Sequence, residues 1–529
     1  MPTRRQFLSA VPAALTLFAA GCSAPTAPGS GPSDSLLLAD GFEPDSLHPL
    51  LGYAQEGAGK FYDGLLAFDG RGEMRPALAT ALPESTSDGK RWTARLRQGV
   101  HFHDGTPLTA RDVAATYRAV LDPAYASTIS SDYAMLGEVR ELDDHTVQFE
   151  LKYPYAPWPA KLVLGIVPAK SLADRRPLEN SPLNTRPVGT GPYRLVEWRR
   201  GDQMRWEANP QHWAGEPAIR NVTVVFAKDD NTRAQRLRTG EFDGTVLPPV
   251  LADSSGQGGY RVVHHKTADY RAIMLPNDHP VTGDRAVRLA LNHAVNRKGM
   301  IDAVLGGHGE PAHTPIPSSM SGYHEPAAVF AHDPAKARRI LDDAGWRTGP
   351  DGIRQRDGRR ASVTVMYFAD DSLRKNLAQA FASDAKEIGI EVQLAGVDRS
   401  AAAERLATEG IVLGGGNPID PDLQAYSSLH SSVIGTGTYN NPGKYRNREV
   451  DEALDRGRRT LDRQQRAEHY KQVQRAYVAD PGLVYLAFID HSYVMREGRW
   501  SGYQPVVEPH THGTTWGPWW NVESWKPVA

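Results

Sequence analysis

Cys22 is the only cysteine in a chain of 529 residues. Disulfides within the chain are therefore excluded, and the fold must stand on core burial alone. The length permits this, because it exceeds what one hydrophobic core usually serves and predicts two or three domains. Hydrophobic residues make up 40% of the chain, and no second long apolar run follows the N-terminal one, which is the composition of a globular body. Lys and Arg number 60 against 62 Asp and Glu, a balance that excludes the strongly basic surface of a nucleic-acid binder.

The first 22 residues have the layout of an export signal. Thr3-Arg4-Arg5-Gln6-Phe7-Leu8 reads as a twin-arginine motif, an apolar stretch runs from Phe7 to Ala20, and no acidic residue precedes Asp34. The stretch is too short for a membrane span of roughly 20 residues. Cys22 follows Ala19-Ala20-Gly21 and resembles the acylated cysteine of a bacterial lipoprotein, with Ala19 where Leu or Val is usual. Cleavage elsewhere would discard it. Residues 23–33 are Ser, Pro, Gly, Ala and Thr only, a flexible tether between lipid and body. The expected location is the outer face of the cytoplasmic membrane or the periplasm.

Several segments predict secondary structure. Ser362 to Phe368 alternates as a strand, with Val363, Val365 and Tyr367 on one face. Asp371 then offers an N-cap to a helix carrying Leu373, Leu377, Phe381, Ala385 and Ile388, closed by Gly389. A second strand over Ile390 to Leu394 completes a βαβ unit, hence a parallel sheet with covering helices. Asp333-Pro334 opens another helix. Arg285 to Leu305 reads as a helical stretch interrupted near Gly299. Tyr193 to Trp198 and Met204 to Glu207 read as strands joined at Gly201-Asp202, and Val222 to Phe226 as a further strand. Asp104-Gly105-Thr106-Pro107 is a turn, after which Thr109 and Asp112 form a capping box. The class is α/β or α+β.

Stretches spread over the whole body resemble the family 5 solute-binding proteins (peptide/nickel type) that serve ABC importers. They are Phe42 to Pro49, Phe61-Tyr62-Asp63-Gly64-Leu65, Trp92 to Val113, Val188 to Leu195, Asn209-Pro210 with Trp213, Ala286 to Asn296, and Asp333 to Trp346. The resemblance implies a two-lobed periplasmic-binding-protein-like fold (type II, cluster C) with an extra inserted domain. Domain I would comprise residues 34–64, 185–275 and 490–529, domain II residues 65–184, and domain III residues 276–489. The ligand would lie between domains I and III, with a hinge across crossovers near 275 and 489. The implied role is an extracytoplasmic receptor that binds a dipeptide or oligopeptide, as a monomer, and delivers it to the ABC permease subunits. A metal chelate or another small solute is the alternative. No cofactor is expected.

In the family's peptide binders, an Asp four residues before a Pro of domain III neutralises the peptide's ammonium, which a closed cleft would otherwise leave uncompensated. Here the loop is Gly414-Gly415-Gly416-Asn417-Pro418-Ile419-Asp420-Pro421-Asp422, so Asn417 stands at that position without a charge. Asp420 is either a substitute or a turn-forming residue. The family's nickel-chelate binders use an Arg and a Trp on a domain II loop and aromatics on this domain III loop. Neither Arg nor Trp occurs between Asp122 and Tyr133, and glycines and Ile419 stand where the aromatics would fall, so that reading lacks the family's specific residues. Gly415 and Gly416 would allow a ligand close to the backbone, or mark a strand end. Trp516, Tyr62 and Tyr53 are candidates for the cleft wall. His430 is either cleft-facing or a satisfied core residue.

Two rival readings are weaker. His101-x-His103 and His510-x-His512 each offer two imidazoles, where metal ligation needs three or more convergent ligands. No Gly-x-Ser-x-Gly, His-Glu-x-x-His or P-loop occurs, so a peptide-hydrolysing enzyme is not the expectation.

Overall fold

The computed structural model describes residues 34–511 and 513–528. The export signal, the tether, Cys22 and His512 lie outside the described residues. Three sheets organise the body.

The first has seven strands in the order Tyr260–His265, His491–Arg496, Gly244–Leu247, Ser35–Asp40, Asn221–Phe226, Gln203–Ala208 and Tyr193–Arg199. The second has six, in the order Gly309–Pro311, Leu483–Ile489, Tyr270–Met274, Gly410–Gly415, Ser362–Phe368 and Glu391–Val397. A four-stranded antiparallel sheet, Glu84–Ser85, Arg91–Arg95, Thr146–Leu151 and Leu136–Asp143, lies in the segment inserted between strands of the first sheet. The architecture is two-lobed and α/β, with one large sheet at the heart of each lobe.

The βαβ unit forms as its pattern predicts. Ser362–Phe368 and Glu391–Val397 pair in parallel, and the helix Ser372–Glu387 crosses between them with Asp371 capping Arg374 N. Val363 and Val365 point into one core with Leu377 and Phe381, whereas Met366 and Phe368 point into the other. Burial on both faces is what a central parallel strand requires. The helical stretch after Arg285 breaks at Val295-Asn296, not at Gly299, giving Arg285–Ala294 and Arg297–Leu305. The break falls there because the Asn296 side chain accepts from Gly299 N and starts the second helix. The Thr109–Asp112 capping box and the Gly105 turn at φ +80° are present.

The chain passes between the two large sheets at 266–269 and again at residue 490. The first crossover therefore precedes the expected 275, because Tyr270–Met274 is already a central strand of the second sheet, paired on both sides. A third segment bridges the lobes. Thr267 pairs with Glu508, Ala268 N donates to Glu508 O at 2.9 Å, and His510 N donates to Gly416 O at 2.8 Å.

Candidate functional site

Where the lobes meet, the segment 414–422 leaves the second sheet and runs into the helix Pro421–Leu429. Its three glycines are accounted for by the protein's own atoms. A Cβ at Gly414 would lie 2.5 Å from the Arg271 guanidinium and 2.8 Å from the His510 ring, and one at Gly415 would lie 2.8 Å from the Tyr270 hydroxyl. At Gly416, with φ +151°, it would overlap the Ala268 carbonyl.

The polar residues of this segment are held in turn. The Asn417 side-chain oxygen accepts from Ile419 N at 3.0 Å, and its backbone N–H donates to Gln424 Oε1. Asp420 caps the helix by accepting from Asp422 N at 2.8 Å, and its carboxylate receives both guanidinium nitrogens of Arg466 at 2.6 and 2.9 Å. Asp422, 1% exposed, is bound by Arg458 at 2.9 and 3.1 Å and by the hydroxyls of Tyr155 and Tyr470 at 3.0 and 3.1 Å. Burial would raise its carboxyl, but the Arg458 charge and bonds outweigh that and hold it below the usual range. Neither Asp420 nor Asp422 is left to countercharge a ligand.

Tyr155 belongs to the inserted segment, so its bond to Asp422 ties that segment to the second lobe. Ala156 N donates to Arg458 O at 2.8 Å beside it, and the Arg458 guanidinium lies over the Tyr155 ring.

A second polar group lies against the crossovers. Arg271 bonds Asp269, and Arg374 bonds Asp371. Both arginines are buried, and among the described residues neither Nε has a hydrogen-bond partner. Burial and the adjacent Arg271 charge depress Arg374. Each guanidinium is paired with its own carboxylate, and its remaining donor suits a further carboxylate oxygen. Glu56, in the first lobe, accepts from Thr511. Desolvation pushes its carboxyl up to about 7, against the Thr511 bond that lowers it and with Asp269 and Asp132 adding to the rise.

Tyr53, Tyr62 and Trp516 come together elsewhere. They line a cavity of about 250 Å³ with Lys60, Asp63 and Trp213. Tyr62 and Trp516 are buried. The walls come from the first lobe and the inserted segment, with no residue of the second lobe among them. His430 is buried, stacked on Tyr426 at 4.3 Å, and accepts from Ser432 N at the end of the Pro421–Leu429 helix. His101 and His103 contact the Gly99 and Gly191 carbonyls, respectively. Arg271, Arg374 and Glu56 carry no local motif and were not among the residues the sequence singled out. Arg271 and Arg374 are marked only by their interaction in the fold, and Glu56 by its burial and its bond from Thr511.

Among the described residues no helix is long and apolar enough to cross a membrane. The profile of the bacterial extracellular solute-binding proteins, family 5 Middle, matches residues 73–436. The chain is 45% identical over 508 residues to Protein XP55 of Streptomyces lividans, covering 94% of this chain and 93% of that one. Its structure is similar to that of NikZ from Campylobacter jejuni in complex with Ni(L-His), with a TM-score of 0.85, 26% identity and coverage of 94% and 100%. It is also similar to the oligopeptide-binding protein AppA from Bacillus subtilis in complex with a nonapeptide, with a TM-score of 0.82, 27% identity and coverage of 94% and 99%.

Proposed function

Because the chain belongs to the bacterial extracellular solute-binding proteins of family 5, a family of non-catalytic transport receptors, we propose that it captures a small carboxylate-bearing solute, of which an amino-acid chelate of a divalent metal is the test case. It would deliver that solute to the permease of an ABC importer, tethered to the membrane through Cys22.

One observation carries the choice of solute over a peptide held by its amine. On the loop 414–422 the acids are committed to Arg466 and Arg458, and the position that would meet an ammonium is the neutral Asn417. An ammonium held against this loop would lack a countercharge from it. The unused donors of Arg271 and Arg374 instead suit carboxylate oxygens. The likeness to NikZ with its nickel–histidine ligand supports the same class, and the likeness to AppA keeps a peptide as the competing reading.

Closure must draw its free energy from contacts the ligand makes only between the lobes. Isothermal titration of ligand-stripped protein tests the proposal. Nickel with L-histidine should bind one to one, and Arg374→Ala should weaken it at least about tenfold, as loss of a charge-assisted bond to a buried anion does. Saturable binding of a short peptide with no heat from the chelate would refute it.

A further inference from the structure

Asp253, His264 and His308 bring three metal-ligating groups within 4.8 Å of one another, outside the inter-lobe cleft and the cavity described above. They come from both lobes. Asp253 ends the short helix Pro249–Asp253, and His264 lies on the strand Tyr260–His265, both in the first lobe. His308 precedes the strand Gly309–Pro311 of the second. Both crossovers are adjacent. His264 is two residues before Lys266, and Asp490 N donates to His308 O at 3.4 Å.

The geometry converges on one point. The Asp253 carboxylate faces His264 Nε2 at 3.1 Å through one oxygen and His308 Nε2 at 2.9 Å through the other. The two rings stack with centroids 3.6 Å apart. His264 Nδ1 meets the hydroxyl of the buried Ser492 at 2.8 Å. Without a cation, Nε2–H faces the Asp253 carboxylate and Nδ1 accepts from the hydroxyl. With one, Nε2 gives up its proton and the hydroxyl turns to accept from Nδ1–H, which is how an outer partner supports a histidine ligand. All three side chains are partly exposed, at 45% for Asp253, 23% for His264 and 26% for His308, so an ion can enter and the stacked rings can swing to aim both nitrogens at it.

We propose that Asp253, His264 and His308 form an inter-lobe site for a divalent cation of the zinc class. Two imidazoles and one carboxylate are a borderline-soft donor set suited to Zn²⁺ or Ni²⁺ over Ca²⁺ or Mg²⁺, with water completing the tetrahedron. Because His308 sits on one lobe and its partners on the other, any hinge rotation that separates them removes a ligand. The cation therefore favours the lobe arrangement seen here, and whatever solute favours the same arrangement tightens the cation in return. The site is distinct from capture of a metal chelate in the cleft, and it is tested with the bare ion and no amino acid.

Tag-free mature protein, stripped of metal, is titrated with Zn²⁺ against a chelating indicator. One equivalent should bind, and His308→Ala and Asp253→Asn should each weaken it at least about tenfold. Zn²⁺ should also slow amide hydrogen exchange across 264–270 and 489–492 in the parent and not in His308→Ala. Circular dichroism confirms that both variants are folded, and agreement between two chemically different variants separates ligand loss from local damage. Zinc affinity unchanged in both variants, or binding without protection of the crossovers, would overturn the proposal.

Discussion

Asp269, which ends the first crossover, and His491, which opens the strand after the second, are joined at 3.0 Å, Nε2 to carboxylate, in the buried interior between the lobes. The other ring nitrogen of His491 meets Glu508 at 2.9 Å, and Glu508 also accepts from the Tyr493 hydroxyl at 2.6 Å and contacts His265 at 2.5 Å. The charge network thus ties together the three segments that pass between the sheets. Such a pair gains little over an apolar one but is costly to break, because the remaining charge stays buried.

A pH dependence follows from this pair. Burial alone would depress His491, but its bonds to Asp269 and Glu508 outweigh that and hold it at about 9, above the ordinary 6.5. A raised histidine contributes stability that is fully present below 6.5 and is lost as the pH climbs through 9, here on the order of 3 kcal/mol. Glu508 runs the opposite way. Burial would raise it, but the bonds from His265 and His491 hold it at about 2, so its contribution is present above 4.5 and lost as the pH falls through 2. His491→Gln should lower the unfolding free energy by about 3 kcal/mol at pH 6 and by much less at pH 10. Denaturant melts at the two pH values measure this, and an equal loss at both would refute it.

The inserted segment is held to the second lobe by a bond that one atom controls. Tyr155→Phe removes the hydroxyl bound to Asp422 but keeps the ring under Arg458. Arg458 and Tyr470 still satisfy the carboxylate, so the fold should melt as before. The lost bond to a charged group costs about 1 kcal/mol, felt only where the lobes touch. Solute affinity should therefore weaken about fivefold, mostly through faster release. Stopped-flow dissociation reads the effect, and an unchanged release rate would show that Tyr155 does not hold the lobes together.

Much of the scaffold was legible in the chain, because local devices set it. Asp371, Thr109 with Asp112, and Asp333 before Pro334 start helices where their side chains can reach the first free N–H groups. The valines of Ser362–Phe368 fix a buried strand by alternation alone. The site was less legible. Asp420 and Asp422 look alike as letters, and only contacts with Arg466 and Arg458, 46 and 36 residues away, show that both are neutralised. Arg271 and Arg374 are ordinary strand and helix residues until the fold sets them side by side. The crossover expected near 275 from the family resemblance lies at 266–269, because which sheet the strand Tyr270–Met274 joins is set by pairing with distant strands.

Gly416 joins the loop 414–422 to the first crossover. It has φ +151°, a region that a side chain disfavours, and an added Cβ would collide with the Ala268 backbone. Neither neighbour is a flexible side-chain end that can swing aside. Gly416→Ala should cost at least about 2 kcal/mol in stability and break the His510 N to Gly416 O bond. Thermal melts together with hydrogen exchange at residue 510 measure both. A melt within a degree of the parent would show that the loop relaxes freely.

Asn417 offers the sharpest test of ligand class. Its side-chain oxygen caps Ile419 N at 3.0 Å, a bond that an aspartate oxygen makes equally well. Asn417→Asp should therefore fold like the parent while adding one negative charge to a loop whose other acids are neutralised by arginines. A peptide's ammonium would gain a countercharge, worth at least about tenfold in affinity if the two meet within the cleft. A chelate held through its carboxylates would be repelled and weaken by a similar factor. Parallel titrations of parent and variant with a tripeptide and with nickel and L-histidine read both arms. A gain for the peptide with a loss for the chelate places Asn417 beside the solute. No change in either removes residue 417 from the wall of the cleft, and a gain for the chelate reverses the charge logic of the site.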